Sequence, residues 1–137
     1  AYAAVVPAFA YAALRGEPLT VHGDGTQTRD FTYVGTVAEV IVDAIERGVS
    51  HDTAVNLAFG TRTSLLEVID RLGPLAGRPI EVSHTATRAG DVPHSQADNT
   101  LLRSLFTDIQ PVSLDDGLAA TVEWMRQFIA DTPNVDA

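Results

Sequence analysis

The stretch GDGTQTRDFTYV, residues 23–34, sets the reading of the chain. Asp24 stands between glycines, and Asp-Gly is a sharp turn signal. Just upstream, LTVHG (residues 19–23) alternates apolar and polar and reads as a short strand. Downstream, RDFTYV alternates again, with Phe31 and Tyr33 on one face and Asp30, Thr32 and Val34 on the other. The segment therefore reads strand, turn, strand. Arg29 stands where the polar turn meets the apolar run. A guanidinium offers planar paired donors and stays charged at every relevant pH, so it suits a phosphate. On the residues alone it also reads as a solvated strand-start arginine pairing with Asp30.

Outward from this point, helices and short strands alternate irregularly. VVPAFAYAALRGEPL (residues 5–19) reads as a helix with Pro7 in its first turn and Gly16 and Pro18 ending it. A helix is expected from Thr36, capped by Thr36 and Glu39 at capping-box spacing, with Val37, Val40, Ile41, Ala44 and Ile45 as its apolar stripe and Gly48 as its stop. AVNLA (54–58) reads as a strand. Ser64 and Glu67 form a second capping box, opening a helix through about Leu75 that Pro74 is expected to shorten. IEVSHT (80–85) reads as a strand, RAGDVPHS (88–95) as a polar loop, and NTLLRSLF (99–106) as a short helix. Ser113 caps a final helix with a stripe of Leu114, Leu118, Val122, Met125, Phe128 and Ile129. The expectation is an α+β domain of about five helices and several short strands over residues 1–130, with a polar tail at 131–137.

The 137 residues carry 18 acidic against 9 basic side chains, a net charge of -9. That balance argues against nucleic acid as a partner, because a phosphate-backbone binder needs a basic surface. A small anion is compatible, since a local arginine outweighs distant charge. The chain has no cysteine, which removes disulfides and thiolate metal sites and fits a cytoplasmic setting. No apolar run approaches the length of a membrane-spanning helix, and no secretory signal opens the sequence. His22, His51, His84 and His94 show no metal-ligand spacing. His94, Ser95 and Asp98 do not make a hydrolase triad, since adjacent side chains do not align as nucleophile and base and no nucleophile-elbow motif is present. There is likewise no Gly-x-Gly-x-x-Gly turn between a strand and a helix, so no dinucleotide site is expected.

Five blocks in order, YAAVVPAF, GEPLTVHGDGTQTRDFTYV, NLAFGTRTS, RAGDVPHSQAD and SLDDGLAATVEWM, resemble the C-terminal half of extended short-chain dehydrogenase/reductases. These are the NAD-dependent sugar-nucleotide epimerases and dehydratases, with the UDP-glucose 4-epimerases as the nearest branch. The resemblance runs from residue 2 to about 128. It implies a two-part enzyme. An N-terminal Rossmann half holds NAD and a Tyr-x-x-x-Lys pair, and the C-terminal half grips a nucleoside diphosphate sugar, a UDP-sugar by preference. The present chain resembles the second half alone. It has no lysine, so it carries no Tyr-x-x-x-Lys pair and no catalytic residue is assigned.

The resemblance implies roles residue by residue. Arg29 and Arg88 match arginines that contact the diphosphate, and Asp91 matches an acid that accepts from ribose hydroxyls. Thr20, Val21 and His22 lie where the strand borders the nucleobase, largely through backbone groups. Val68 and Ser95 stand at further contact positions. On the residues alone, Arg88 and Asp91 also read as an ion pair across a loop, His22 as a half-exposed strand residue, and Asn56 as a side chain bonding backbone near a turn. After FTYV the family usually has two acids, where this chain has Gly35 and Thr36. No cofactor is expected on this chain alone. The expected partners are the sugar nucleotide, the missing Rossmann half and a second copy through an apolar patch on the helix from residue 36. The competing readings are a dehydratase, decarboxylase or reductase on the same scaffold, and a stand-alone non-catalytic binding module.

Overall fold

The structure, a computed structural model, describes residues 4–132. Five helices, α1 (Val5–Arg15), α2 (Val34–Arg47), α3 (Leu65–Ala76), α4 (Thr100–Leu105) and α5 (Leu114–Asp131), are interspersed with β1 (Leu19–His22), β2 (Thr28–Arg29), β3 (Thr63–Ser64) and β4 (Val82–Thr85). The strands form two separate pairs: β1 runs parallel to β4, and β2 antiparallel to β3. This is the mixed α+β architecture expected from the sequence. The proposed tail falls largely on residues 133–137, outside the described residues.

The main core forms where α1, α3 and α5 pack together behind β1. Phe9 and Ala13 of α1 meet Val68, Ile69 and Leu72 of α3, Leu118 and Val122 of α5, and Leu19 and Val21 of β1. The period-2 alternation of β1 buries Leu19 and Val21 and turns Thr20 and His22 the other way. The helix ends follow their sequence signals. Gly16, at φ 74, closes α1 with its amide on the Ala12 and Ala13 carbonyls, a left-handed position where a side chain would be strained. Ser64 and Glu67 make the expected capping box of α3, and the Ser113 hydroxyl accepts from the Asp116 amide at 3.1 Å to open α5.

Four expectations are corrected. Helix α2 starts at Val34, and Tyr33 in its cap position makes no side-chain cap bond. Thr36 is fully buried instead, and its hydroxyl accepts from the Val112 amide at 3.0 Å. A long-range tie to the chain before α5 has displaced the local cap. The strand read over RDFTYV is limited to Thr28–Arg29. Beyond it, Phe31 packs against the main core, and the Tyr33 ring lies over Gly117, where an added Cβ would meet it at 3.2 Å. Residues 54–58 form no strand, since no other strand among the described residues lies beside them. Pro74 does not shorten α3, which runs to Ala76. One missing amide near the end of a helix is tolerated, and Gly77 closes the helix on the Gly73 and Pro74 carbonyls.

A second apolar cluster gathers Val40, Phe59, Leu102, Phe106 and Ile109 between α2 and α4. It is open on one side. Val40 faces inward, but Ile41, Val42 and Ile45 are 50%, 52% and 74% exposed.

Candidate functional site

A cleft of about 350 Å3 opens between the turn after β1 and the loop after β4, with His22, Asp24, Gln27, Thr87, Asp91 and His94 among its lining residues. The β1–β4 pairing creates it. His22 stands opposite Thr85 in the parallel register, and one further bond, from the Gly23 amide to the Thr85 carbonyl at 2.9 Å, carries the ladder into the turn. Gly25 then turns the chain at φ 83, and a Cβ there would sit 2.7 Å from Leu66 Cδ2. Both the dihedral and the close approach therefore require glycine.

The polar groups of the turn are paired. Asp24 accepts from the Thr26 amide at 2.9 Å and hydroxyl at 2.7 Å. The Thr26 hydroxyl, then the amide, hold the Asp24 carboxyl below its ordinary range. Gln27 donates from Nε2 to the His22 carbonyl at 2.7 Å. His84 Nδ1 lies 2.8 Å from the Gly23 carbonyl, which can only accept, so this nitrogen carries the proton. His22 Nδ1 meets the Thr85 hydroxyl at 2.8 Å.

Arg29 is more committed than the sequence suggests. It donates from Nη1 to the carbonyls of Thr28 at 2.9 Å and Val92 at 2.7 Å, and from Nη2 to Asp91 Oδ1. Those bonds use three of a guanidinium's five N–H groups and leave two. The Arg29–Asp91 pair ties the loop after β4 onto β2. Gly90, at φ 83, lets that loop turn, and the Asp91 amide closes it on the Arg88 carbonyl at 3.1 Å.

Among the sequence-predicted residues, the structure brings His22, Arg29 and Asp91 together at this cleft and its tie. Ser95 lies beside them, its amide on the Thr28 carbonyl at 3.1 Å. Thr20 is exposed on the same face of β1 as His22. Arg88 is exposed on the loop and makes no side-chain bond with the described residues. Val21 and Val68 are not brought to the cleft. Both are 0% exposed in the main core, so their side chains offer a ligand no surface. Asn56 donates to the Asp98 carbonyl at 3.1 Å, as its reading as a backbone-bonding side chain anticipated.

Sequence reasoning missed two residues here. Asp30 does not pair with Arg29. It accepts from the Gly60 amide at 3.0 Å, the Thr61 amide at 3.1 Å and the Thr61 hydroxyl at 2.8 Å, fixing the 59–61 turn against β2. Gln27 was not singled out either. Its signal was a polar side chain in the turn two residues before Arg29. Among the described residues no group of three or more histidines and acids is placed to hold a metal ion. The described strands make two two-stranded pairs rather than a doubly wound sheet.

Residues 2–58 match the model of the NAD dependent epimerase/dehydratase family. A UDP-N-acetyl-alpha-D-glucosaminuronate decarboxylase of Bacillus cytotoxicus is 31% identical over 136 residues, covering 95% of this chain and 42% of its own length. A UDP-glucose 4-epimerase of Mycolicibacterium smegmatis is 33% identical over 124 residues, covering 90% of this chain and 39% of its own. The structure of a UDP-glucose 4-epimerase with UDP-glucose from Thermotoga maritima superposes with a TM-score of 0.85 at 32% identity, covering 94% of this chain and 41% of that one. The chain thus spans about two fifths of the length of the relatives it matches. With sequence and fold agreeing along nearly its whole length, the chain belongs to the NAD dependent epimerase/dehydratase family.

Proposed function

We propose that this chain is the C-terminal, nucleoside-diphosphate-sugar-binding part of an NAD-dependent sugar-nucleotide epimerase or dehydratase of the cytoplasm, and that a UDP-sugar is its ligand. The observation that supports this best is that His22 and Asp91, from separate segments, line one polar cleft, and that Arg29 is bonded to Asp91. In this reading the outer face of β1 borders the base and Asp91 accepts from the ribose. The two free N–H groups of Arg29, with Arg88, neutralise the diphosphate. They act by position and charge, not by proton transfer. The reaction belongs to the rest of the enzyme, which supplies NAD and the Tyr-x-x-x-Lys pair. With no lysine in its sequence, this chain alone turns over no substrate.

Two apolar surfaces support a larger partner. One is the open face of α2. The other is a cleft of about 600 Å3 lined by Val5, Val6, Tyr33, Val34, Leu114 and Trp124, among others. In this reading the Rossmann half covers them, and the isolated chain self-associates through them. The decarboxylase among its relatives leaves the reaction class open between epimerisation, dehydration and decarboxylation.

The test is a titration of UDP into isotope-labelled protein, following backbone amides, with NAD as the control. The expected result is saturable shifts at Thr20–His22 and Arg88–Asp91 with UDP and none with NAD. An equal response to NAD, or no response to UDP in a folded sample, rejects the reading for this chain.

A further inference from the structure

Thr28 occupies the middle of a small three-stranded ladder. On one side β2 pairs with β3, Thr28 facing Ser64 and Arg29 facing Thr63. On the other side the Thr28 amide donates to the Pro93 carbonyl at 2.9 Å and its carbonyl accepts from the Ser95 amide at 3.1 Å, which sets His94 opposite Thr28. Successive strand residues turn to opposite faces, and the partners differ accordingly. Arg29 reaches Asp91 and Val92. The Thr28 side chain instead meets His94 Nδ1 at 3.0 Å and, by a longer contact of 3.4 Å, Arg62 Nε.

Arg62 Nε can only donate, so Thr28 Oγ1 accepts from it. One arrangement keeps the Thr28 hydroxyl hydrogen within the trio, donated to His94 Nδ1. With Nδ1 accepting, the neutral imidazole carries its proton on Nε2. Every remaining polar hydrogen of the trio is thus a donor: the four Nη hydrogens of Arg62 and the Nε2 hydrogen of His94. None of the five ion pairs among the described residues includes Arg62. The nearby acids are occupied elsewhere: Asp91 by Arg29, Asp30 by the 60–61 amides and Glu67 by Ser64. Arg62 and His94 are both exposed. In a chain of net charge -9, an arginine in no ion pair, beside acids that are engaged elsewhere, is out of character with the rest of the surface.

We propose that Arg62, held beside Thr28 and His94, is a further phosphoryl-binding residue, and that this trio receives a phosphoryl group at the edge of the cleft that His94 lines. The inference deepens the nucleotide reading above and rests on it. Arg62 supplies paired charged donors to two phosphoryl oxygens, and His94 Nε2 supplies a neutral donor to the third. Arg29, largely spent on holding the loop, then shares the diphosphate with Arg62 rather than carrying it with Arg88 alone.

The experiment follows the Arg62 Nε–Hε resonance and the His94 ring nitrogens of labelled full chain during separate additions of uridine, inorganic pyrophosphate and UDP. In the free protein the His94 ring should report the Nε2-protonated tautomer. Pyrophosphate and UDP should shift Arg62 and His94, and uridine should leave them still. Arg62→Gln, which removes the guanidinium and its charge and keeps a polar side chain, should weaken pyrophosphate binding about tenfold, a loss of ~1.4 kcal/mol. Arg62→Lys should recover part of it, and Arg71→Gln, remote and paired with Asp115, should change nothing. If UDP shifts Thr20–His22 and Asp91 while Arg62 and His94 stay still, the inference falls and the nucleotide reading stands. If pyrophosphate shifts Arg62 but UDP shifts nothing, the trio is a site for free phosphate and the nucleotide reading falls. If no phosphate compound moves Arg62, the inference is overturned outright.

Discussion

The two apolar clusters of this molecule differ in how they end. Around Leu72, three helices and a strand close on one another, and Val21, Val68 and Leu72 retain no exposed surface. Around Val40 and Leu102, the packing stops halfway, and α2 carries apolar side chains on its outer face as well as its inner one. The first region completes its own burial. The second is built like half of an interface, with a helix apolar on too much of its circumference for a surface helix. The difference says where the chain completes its own burial and where it leaves apolar side chains exposed.

The largest expected effect tests the closed region. Leu72→Ala should destabilise the chain by about 2–5 kcal/mol, because helices packed from three sides cannot collapse into the space. Leu102→Ala removes a side chain of equal size and similar burial, 1% exposed, from the open cluster. There α4 is a single short helix, free to shift, so the loss should fall at about 2 kcal/mol, the low end of the same range. Paired urea denaturation curves measure both. Equal losses would break the comparison.

Next in size is the tie that joins the two regions. The Thr36 hydroxyl accepts from the Val112 amide just before α5. Thr36→Val keeps the shape and leaves that amide without its acceptor, a cost of about 1–3 kcal/mol. Thr36→Ser should recover most of it. If Thr36→Val is neutral in urea denaturation, the tie does not hold the regions together.

This tie also marks the limit of what the sequence disclosed. Local signals were readable wherever the deciding partner lay within a few residues. The capping box at Ser64, the cap at Ser113, the glycine stop of α1 and the alternation of β1 all appear as read. Signals failed where a distant partner decided. Thr36 has capping-box spacing to Glu39, but a residue 76 positions away takes its hydroxyl. Asp30 sits beside Arg29 in sequence yet bonds the 60–61 turn. The AVNLA segment has strand composition, but a strand needs a neighbour, and none of the described strands lies beside it. For the candidate site, the family resemblance singled out Arg29, Asp91 and His22, and the structure places His22 and Asp91 on the cleft with Arg29 bonded to Asp91. Arg62 was not, because nothing local distinguishes it from an ordinary turn arginine. Only the pairing of β2 with residues 93–95 brings Thr28 and His94 to it.

A smaller effect sharpens the local side. Ser64→Ala removes the α3 cap and should cost about 1 kcal/mol. The cap also has a pH signature. The Ser64 amide, then its hydroxyl, lower the Glu67 carboxyl below its ordinary value. A group with a depressed folded pKa adds stability that is present above its unfolded value, about 4.3, and is lost as pH falls through the folded value. The urea midpoint of the wild-type chain should therefore drop more steeply below about pH 4 than that of Ser64→Ala. Parallel curves would remove the capping box from the account of acid lability.

The smallest effect on stability carries the most information about the open region. Ile45 is 74% exposed on α2. Ile45→Gln removes no buried contact and keeps a good helix former, so unfolding free energy should change by no more than about 0.5 kcal/mol. Its effect on association should be of another order. If the outer face of α2 is what the isolated chain uses to self-associate, Ile41→Gln with Ile45→Gln should shift sedimentation velocity profiles toward the monomer at concentrations where the wild-type chain is larger. The control is Leu66→Gln, since Leu66 is a partly exposed leucine on α3, away from that face. A stability loss well above 1 kcal/mol in the Ile45 variant would mean that the face is already covered within the chain. An unchanged, self-associating profile would move the interface to the apolar cleft beside Trp124. Only the predicted pair of results, unchanged stability with reduced association, leaves α2 as a helix folded by one region of the molecule and waiting on another.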